Sequence, residues 1–122
     1  MSYKWDNKKP TAQMLGRWQP FHDGHYALFE EIIKKTGQVC IMVRDMPKSD
    51  TDPLNFFEVT TRIINALREK GYTHGEEFIV IKVPNITNIT YGRDVGYSIS
   101  KETLDKNTES ISATAIRKQG NI

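Results

Sequence analysis

Two near-continuous apolar runs, QVCIMVR (residues 38–44) and EFIVIKV (77–83), each follow an amphipathic segment that closes on a glycine. Runs of this length, rich in β-branched residues, suit strands buried on both faces, as in a parallel sheet. The segment before the first run, HYALFEEIIKKTG, sets Ala27, Leu28, Ile32 and Ile33 at helical spacing and offers Gly37 as a C-cap. The segment before the second, FFEVTTRIINALREKG, is amphipathic in the same way and closes at Gly71. A shorter run, TAQMLGR (11–17), supplies a first strand over residues 12–16. The order β-α-β-α-β predicts an α/β fold, a Rossmann-like, doubly wound parallel sheet with right-handed crossovers. Ligands are then expected at the carboxyl ends of its strands.

The rest of the chain constrains less. DMPKSDTDPLN reads as a loop by its prolines and aspartates. After Pro84-Asn85 a short strand is expected near 87–91 and another near 97–99, then a polar stretch, KETLDKNTES. A last helical turn or two follows, with Ser112 as its N-cap. At 122 residues the chain fits a single domain, 1–122, with residues 1–10 expected as a flexible N-terminus and a homo-oligomer as an open option. The 17 Lys and Arg face 15 Asp and Glu, so a nucleic-acid surface is not expected. Cys40 is alone in an apolar run, which leaves no disulfide framework or cysteine metal site. No apolar stretch approaches the roughly 20 residues of a membrane span. The first ten residues have no hydrophobic core of a secretory signal, so the cytoplasm is the expected location.

GRWQPFHDGH (16–25) falls where the first strand turns into the first helix. Gly16 would allow close approach of backbone or ligand, and Pro20 shapes the turn. His22 and His25, three apart at a helix start, project to one side, with Gly24 leaving space between them. A helix N-terminus adds free N–H groups and partial positive charge. Two imidazoles there form a device for stabilising negative charge growing on a phosphate. A single histidine at such a place is more often a surface or capping residue; the pair, at the ligand-binding turn, shifts the balance toward function. Metal binding by the pair lacks a third Cys or His ligand nearby, since His74 lies in a distant turn, and no metal ligand is assigned.

The HDGH of residues 22–25 resembles the H-x-G-H signature of the nucleotidyltransferase superfamily, whose sheet has the same β-α-β-α-β order. ISATAIR (111–117) resembles the family's second signature, I-S-x-T-x-I-R, and both stand in the family's order. The resemblance covers residues 12–118. It implies that His22 and His25 contact the triphosphate and stabilise the pentavalent phosphorus. It implies too that Ser112, Thr114 and Arg117 close over the β- and γ-phosphates. Arg117 suits a planar, multi-donor phosphate clamp, although a surface arginine is its plain alternative. In-line nucleotidyl transfer needs positioning and charge neutralisation, with Mg²⁺ bridging the phosphates of ATP.

GRWQPFH resembles the G-R-F-Q-P-F-H opening of adenylyltransferases acting on nicotinamide mononucleotide, with Trp18 in place of phenylalanine. That resemblance implies ATP over CTP, and nucleotide contacts from Gly16, Arg17, Gln19, Phe21 and Gly24. A structural, salt-bridged arginine is the alternative for Arg17. DPLNFFEVTTRI (52–63) is similar to the N-P-F-T-x-x-E-R of those enzymes, with Leu54-Asn55 out of order, and VPNITNI (83–89) to their V-P-D-I, with Asn85 for aspartate. In YGRDVGY (91–97), Arg93 and Asp94 read either as a phosphate- or base-contacting loop or as a tight turn closed by an ion pair. Lys48 reaches the triphosphate or is merely exposed. The expected activity is AMP transfer from ATP to a small phosphorylated acceptor with release of pyrophosphate. The alternatives are cytidylyl transfer to a polyol or amino-alcohol phosphate, and a non-catalytic nucleotide sensor. A fragment related to class I aminoacyl-tRNA synthetases would share H-x-G-H but lacks their length and lysine-rich second signature.

Overall fold

A computed structural model describes residues 4–93. In chain order they form β1 (Ala12–Gly16), α1 (Asp23–Thr36), β2 (Val39–Arg44), α2 (Phe56–Glu69) and β3 (Phe78–Val83). The three strands make one parallel sheet in the order β1-β2-β3. Its register places Ala12 opposite Val39 and Val39 opposite Phe78.

Alternation along β2 decides which face is packed. Val39, Ile41 and Val43 are buried, whereas Cys40, Met42 and Arg44 are half-buried. Met14, Ile41 and Val80 sit in register across the sheet and are at most 9% exposed, so one apolar row crosses all three strands. α2 contributes Val59, Ile63 and Leu67, spaced four apart and fully buried, which is the stripe a helix presents to a sheet. On α1 the deepest residue is Phe29, whose ring meets Tyr72 and Phe78 edge-on with centroids 5.0 and 6.0 Å apart. The expected apolar set of α1, Leu28, Ile32 and Ile33, packs around the core but only partly buried.

Both helices are closed by side chains and glycine geometry. Asn55 caps α2, its Oδ1 accepting from the Glu58 N–H at 2.9 Å while the Glu58 carboxylate accepts from the Asn55 N–H at 3.1 Å. Gly37 takes φ +81° at the end of α1 and donates to the Ile33 carbonyl at 2.8 Å. α2 ends one residue before Lys70, and Gly71 follows with φ +95°.

One expectation needs correcting. Residues 84–90 contain no strand, so the one expected near 87–91 is not formed. Thr87, Ile89, Thr90 and Tyr91 supply the propensity there, but a strand also needs a partner edge, and Ile89 stays 61% exposed. Residues 5 and 6 bond to the body of the domain. Trp5 donates its N–H to the Gly75 carbonyl at 3.0 Å, and buried Gln38 donates through Nε2 to the Asp6 carbonyl at 2.8 Å. The strand expected near 97–99 and the final helical turns lie outside the described residues.

Candidate functional site

The turn between β1 and α1 is built around Trp18. Its φ of +55° lies in the left-handed region that bulky residues rarely occupy. That conformation folds the indole back over Gly16, where a Cβ would sit 2.9 Å from the ring. The close approach that Gly16 permits is therefore to Trp18. Trp18 Nε1 donates to the Met42 carbonyl at 3.0 Å, which anchors the turn on β2. Phe21 is buried against the indole. The Gln19–Pro20 peptide is cis.

On this base the two histidines cap the helix and each other. His22 is the N-cap, and its Nδ1 accepts from the Gly24 N–H at 3.0 Å. The His22 N–H in turn donates to Nδ1 of His25 at 3.2 Å. A ring nitrogen that accepts from a backbone N–H carries no proton, so each neutral imidazole bears its hydrogen on Nε2. The rings stack with centroids 3.7 Å apart and planes 17° from parallel, and the Trp18 ring meets His25 at 88°. Burial pushes the His25 imidazole down to about 3, and the neighbouring His22 adds to the effect. Burial also lowers His22, against a smaller upward pull from Asp23. At neutral pH the site thus offers two uncharged Nε2–H donors at the positive end of α1. Gly24 is buried, its N–H donates to His22, and the two imidazoles stack on each other.

This protonation state sets a pH dependence. In the unfolded chain His25 titrates near 6.5, whereas folded it stays neutral down to about 3. The unfolded state therefore binds the additional proton in between. Stability is fully present above pH 6.5 and falls as the pH drops through that window. Urea denaturation at pH 7.5 and pH 5 should differ by about 2 kcal/mol from this residue. His25→Gln should flatten that difference, and an unchanged slope would show that His25 is not held neutral.

Arg17 and Gln19 both reach into the loop between β2 and α2. Arg17 NH1 pairs with Asp52 Oδ2 at 3.1 Å, the arginine side chain 41% exposed and the aspartate 4%. Buried Gln19 donates through Nε2 to the Leu54 carbonyl and accepts at Oε1 from the Leu54 N–H, both at 2.9 Å. Of the other residues singled out in the sequence, Lys48 lines a cavity at the carboxyl ends of β2 and β3, and Arg93 is exposed. Asp94, Ser112, Thr114 and Arg117 lie outside the described residues.

Two residues of this edge escaped the sequence reading. Asp52 falls in a segment whose prolines and aspartates say only loop, and nothing local shows that it faces Arg17 thirty-five residues earlier. Lys82 is opposite Val43, in step with Phe78 and Val80 along β3 but exposed at the strand's carboxyl end, where it lines the cavity. A lysine in step with the buried residues of a strand is a signal that period-two reading can use. Among the described residues no group of three His, Cys, Asp or Glu could hold a metal ion. Among them, too, no helix is long and apolar enough to cross a membrane.

The chain belongs to the cytidylyltransferase-like family, whose sequence profile matches residues 14–119. It is 28% identical over 131 aligned positions to the nicotinamide-nucleotide adenylyltransferase of Methanococcus aeolicus, across 88% of this chain and 76% of that protein. It is 36% identical over 66 positions to the nicotinamide-nucleotide adenylyltransferase of Methanolobus tindarius. That alignment takes in 52% of this chain and only 38% of the relative. The fold is similar to that of a bifunctional NMN adenylyltransferase/ADP ribose pyrophosphatase from Francisella tularensis, solved with AMP and a Mn ion. The TM-score is 0.53 at 17% identity, over 62% of this chain and 23% of that one.

Proposed function

We propose that the protein is an adenylyltransferase that moves AMP from ATP to a small phosphorylated acceptor, nicotinamide mononucleotide among the candidates, and releases pyrophosphate. The observation that carries this reading is the stacked His22–His25 pair at the start of α1, its two Nε2–H donors held neutral and fixed in direction. The family match and relatives named nicotinamide-nucleotide adenylyltransferases support it.

An acceptor phosphate oxygen attacks the α-phosphorus of ATP, a P–O bond forms, and the bond to the pyrophosphate oxygen breaks. No proton has to be removed from the attacking group. What the transition state needs is stabilisation of charge that accumulates on phosphate oxygens, and fixed donors supply it without reorganising. Neutral imidazoles serve as donors while leaving the resting site free of buried cations. Arg17, tied to Asp52 by NH1, is positioned beside this turn with the rest of its guanidinium for phosphate. Ser112, Thr114 and Arg117 are assigned to the β- and γ-phosphates through the family signature they match. With no protein cluster to hold a metal among the described residues, Mg²⁺ would arrive on the triphosphate oxygens and neutralise part of their charge. We place the reaction in the cytoplasm, with the ATP it consumes.

Calorimetric titration with ATP and CTP in Mg²⁺, followed by pyrophosphate release over phosphorylated acceptors, tests the proposal. ATP should bind the tighter. CTP binding about tenfold tighter, roughly 1.4 kcal/mol, would overturn the choice of nucleotide. Nucleotide binding without pyrophosphate release on any acceptor would make the protein a sensor.

A further inference from the structure

The edge of the sheet that carries the histidine turn also carries a cavity of about 340 Å³, at the ends of β2 and β3 and the start of α2. Arg44, Lys48 and Lys82 line it, against one carboxylate, Asp45. Lys82 reaches it from the exposed carboxyl end of β3, and its Nζ stands 5.7 Å from the centre of the Phe56 ring. Among the described residues neither Lys48 nor Lys82 is paired with a carboxylate. Arg44 donates from NH2 to Asn85 Oδ1 at 2.7 Å, while its buried Nε has no partner. Phe57, on the same lining, leaves 81% of its surface in water.

These features specify a ligand. Walls with three cations and one anion favour an oxyanion and disfavour a second cation. An uncovered aromatic ring beside them favours a flat ring. Gln19, on the lining and two residues beyond Arg17, places the cavity next to the turn where nucleotide is proposed to bind. A pyridinium ring with a neutral carboxamide would bring net positive charge toward Lys48 and Lys82. The same ring with a carboxylate cancels its own charge and gives the lysines an acceptor.

We propose that this cavity holds the ring of the acceptor and selects one bearing a carboxylate over one bearing a carboxamide, with Lys82 and Lys48 as the selecting residues. The inference rests on the adenylyltransferase reading for the identity of the cavity's occupant as the acceptor.

Calorimetric titration of the ATP-free protein with nicotinamide mononucleotide and with nicotinate mononucleotide isolates the carboxamide-to-carboxylate change. The carboxylate form should bind at least about tenfold tighter. In Lys82→Met, and further in the Lys48→Met/Lys82→Met double variant, the ratio should collapse to within about threefold of unity. Lys82 is exposed, so these variants should fold. Equal binding, tighter binding of the carboxamide, binding of neither, or a preference that survives the double variant would overturn the inference. A parallel pyrophosphate-release assay keeps the two proposals apart. Release with no carboxylate preference removes the selection and leaves the transfer. A lysine-dependent preference with no release on any acceptor removes the transfer and leaves the binding site.

Discussion

His25→Ala should lower kcat by about 10²–10³-fold, the scale of losing one preorganised donor to a developing oxyanion. Its effect on KM should be much smaller, because an interaction made mainly in the transition state disappears from kcat. The alanine also removes the acceptor of the His22 N–H, so part of any loss could reflect a loosened helix start. His25→Gln separates the two effects. Glutamine at this third helical position is the ordinary capping-box residue, and its side-chain oxygen can take over the His22 N–H. It cannot place a donor where the imidazole Nε2 stands. Stability should therefore recover in His25→Gln while kcat remains low. Steady-state kinetics at saturating ATP and acceptor, beside urea denaturation of both variants, reads this directly. Native kcat in either variant would remove His25 from the chemistry.

Phe29→Ala should destabilise the fold by about 3–5 kcal/mol, a large share of the roughly 5–15 kcal/mol that holds a typical domain together. Phe29 is wholly buried and touches two further aromatic rings, Tyr72 from the segment after α2 and Phe78 from β3. Truncation thus opens a cavity at the junction of α1, the sheet and the α2–β3 connection. None of these groups can collapse into it without moving another. Phe29→Leu keeps most of the volume and should cost clearly less. Denaturant midpoints for the two variants decide the matter: equal midpoints would mean that the site relaxes and that the core is less closely fitted than its burial indicates.

The order of strands and helices was legible because hydrophobic period and glycine placement are local signals. The three strands read as 12–16, 38–44 and 77–83 differ from the observed ones by at most one residue at an end. Where pairing decides, local signals failed. The stretch 87–91 has strand-like residues, yet nothing in a single sequence says whether an edge stands beside it. At the site, the place of His22 and His25 could be read, but their mutual capping could not. Asp23 is the more usual capping type, and nothing local marks His22 as the cap instead. Gly16 and Gln19 look in sequence like ligand contacts. In the fold the indole of Trp18 fills the space over Gly16, and the amide of Gln19 is spent on the Leu54 backbone. Phe29 does not stand out in the sequence, because Ala27, Leu28, Ile32 and Ile33 fit a helical face equally well.

The pair of hydrogen bonds between Gln19 and Leu54 has a consequence for how substrates would sense one another. It fastens the histidine turn to the loop that rims the neighbouring cavity, and the Arg17–Asp52 pair fastens the same two segments a second time. Two binding surfaces clamped to a common strut cannot settle independently. A molecule that stills one of them spares the next arrival part of the entropy of stilling the other. The resulting cooperation is reciprocal, so whatever factor the nucleotide lends to its co-substrate is returned in full. Coupling of this kind would fix no order of arrival; through Gln19, whichever molecule came second would bind the tighter.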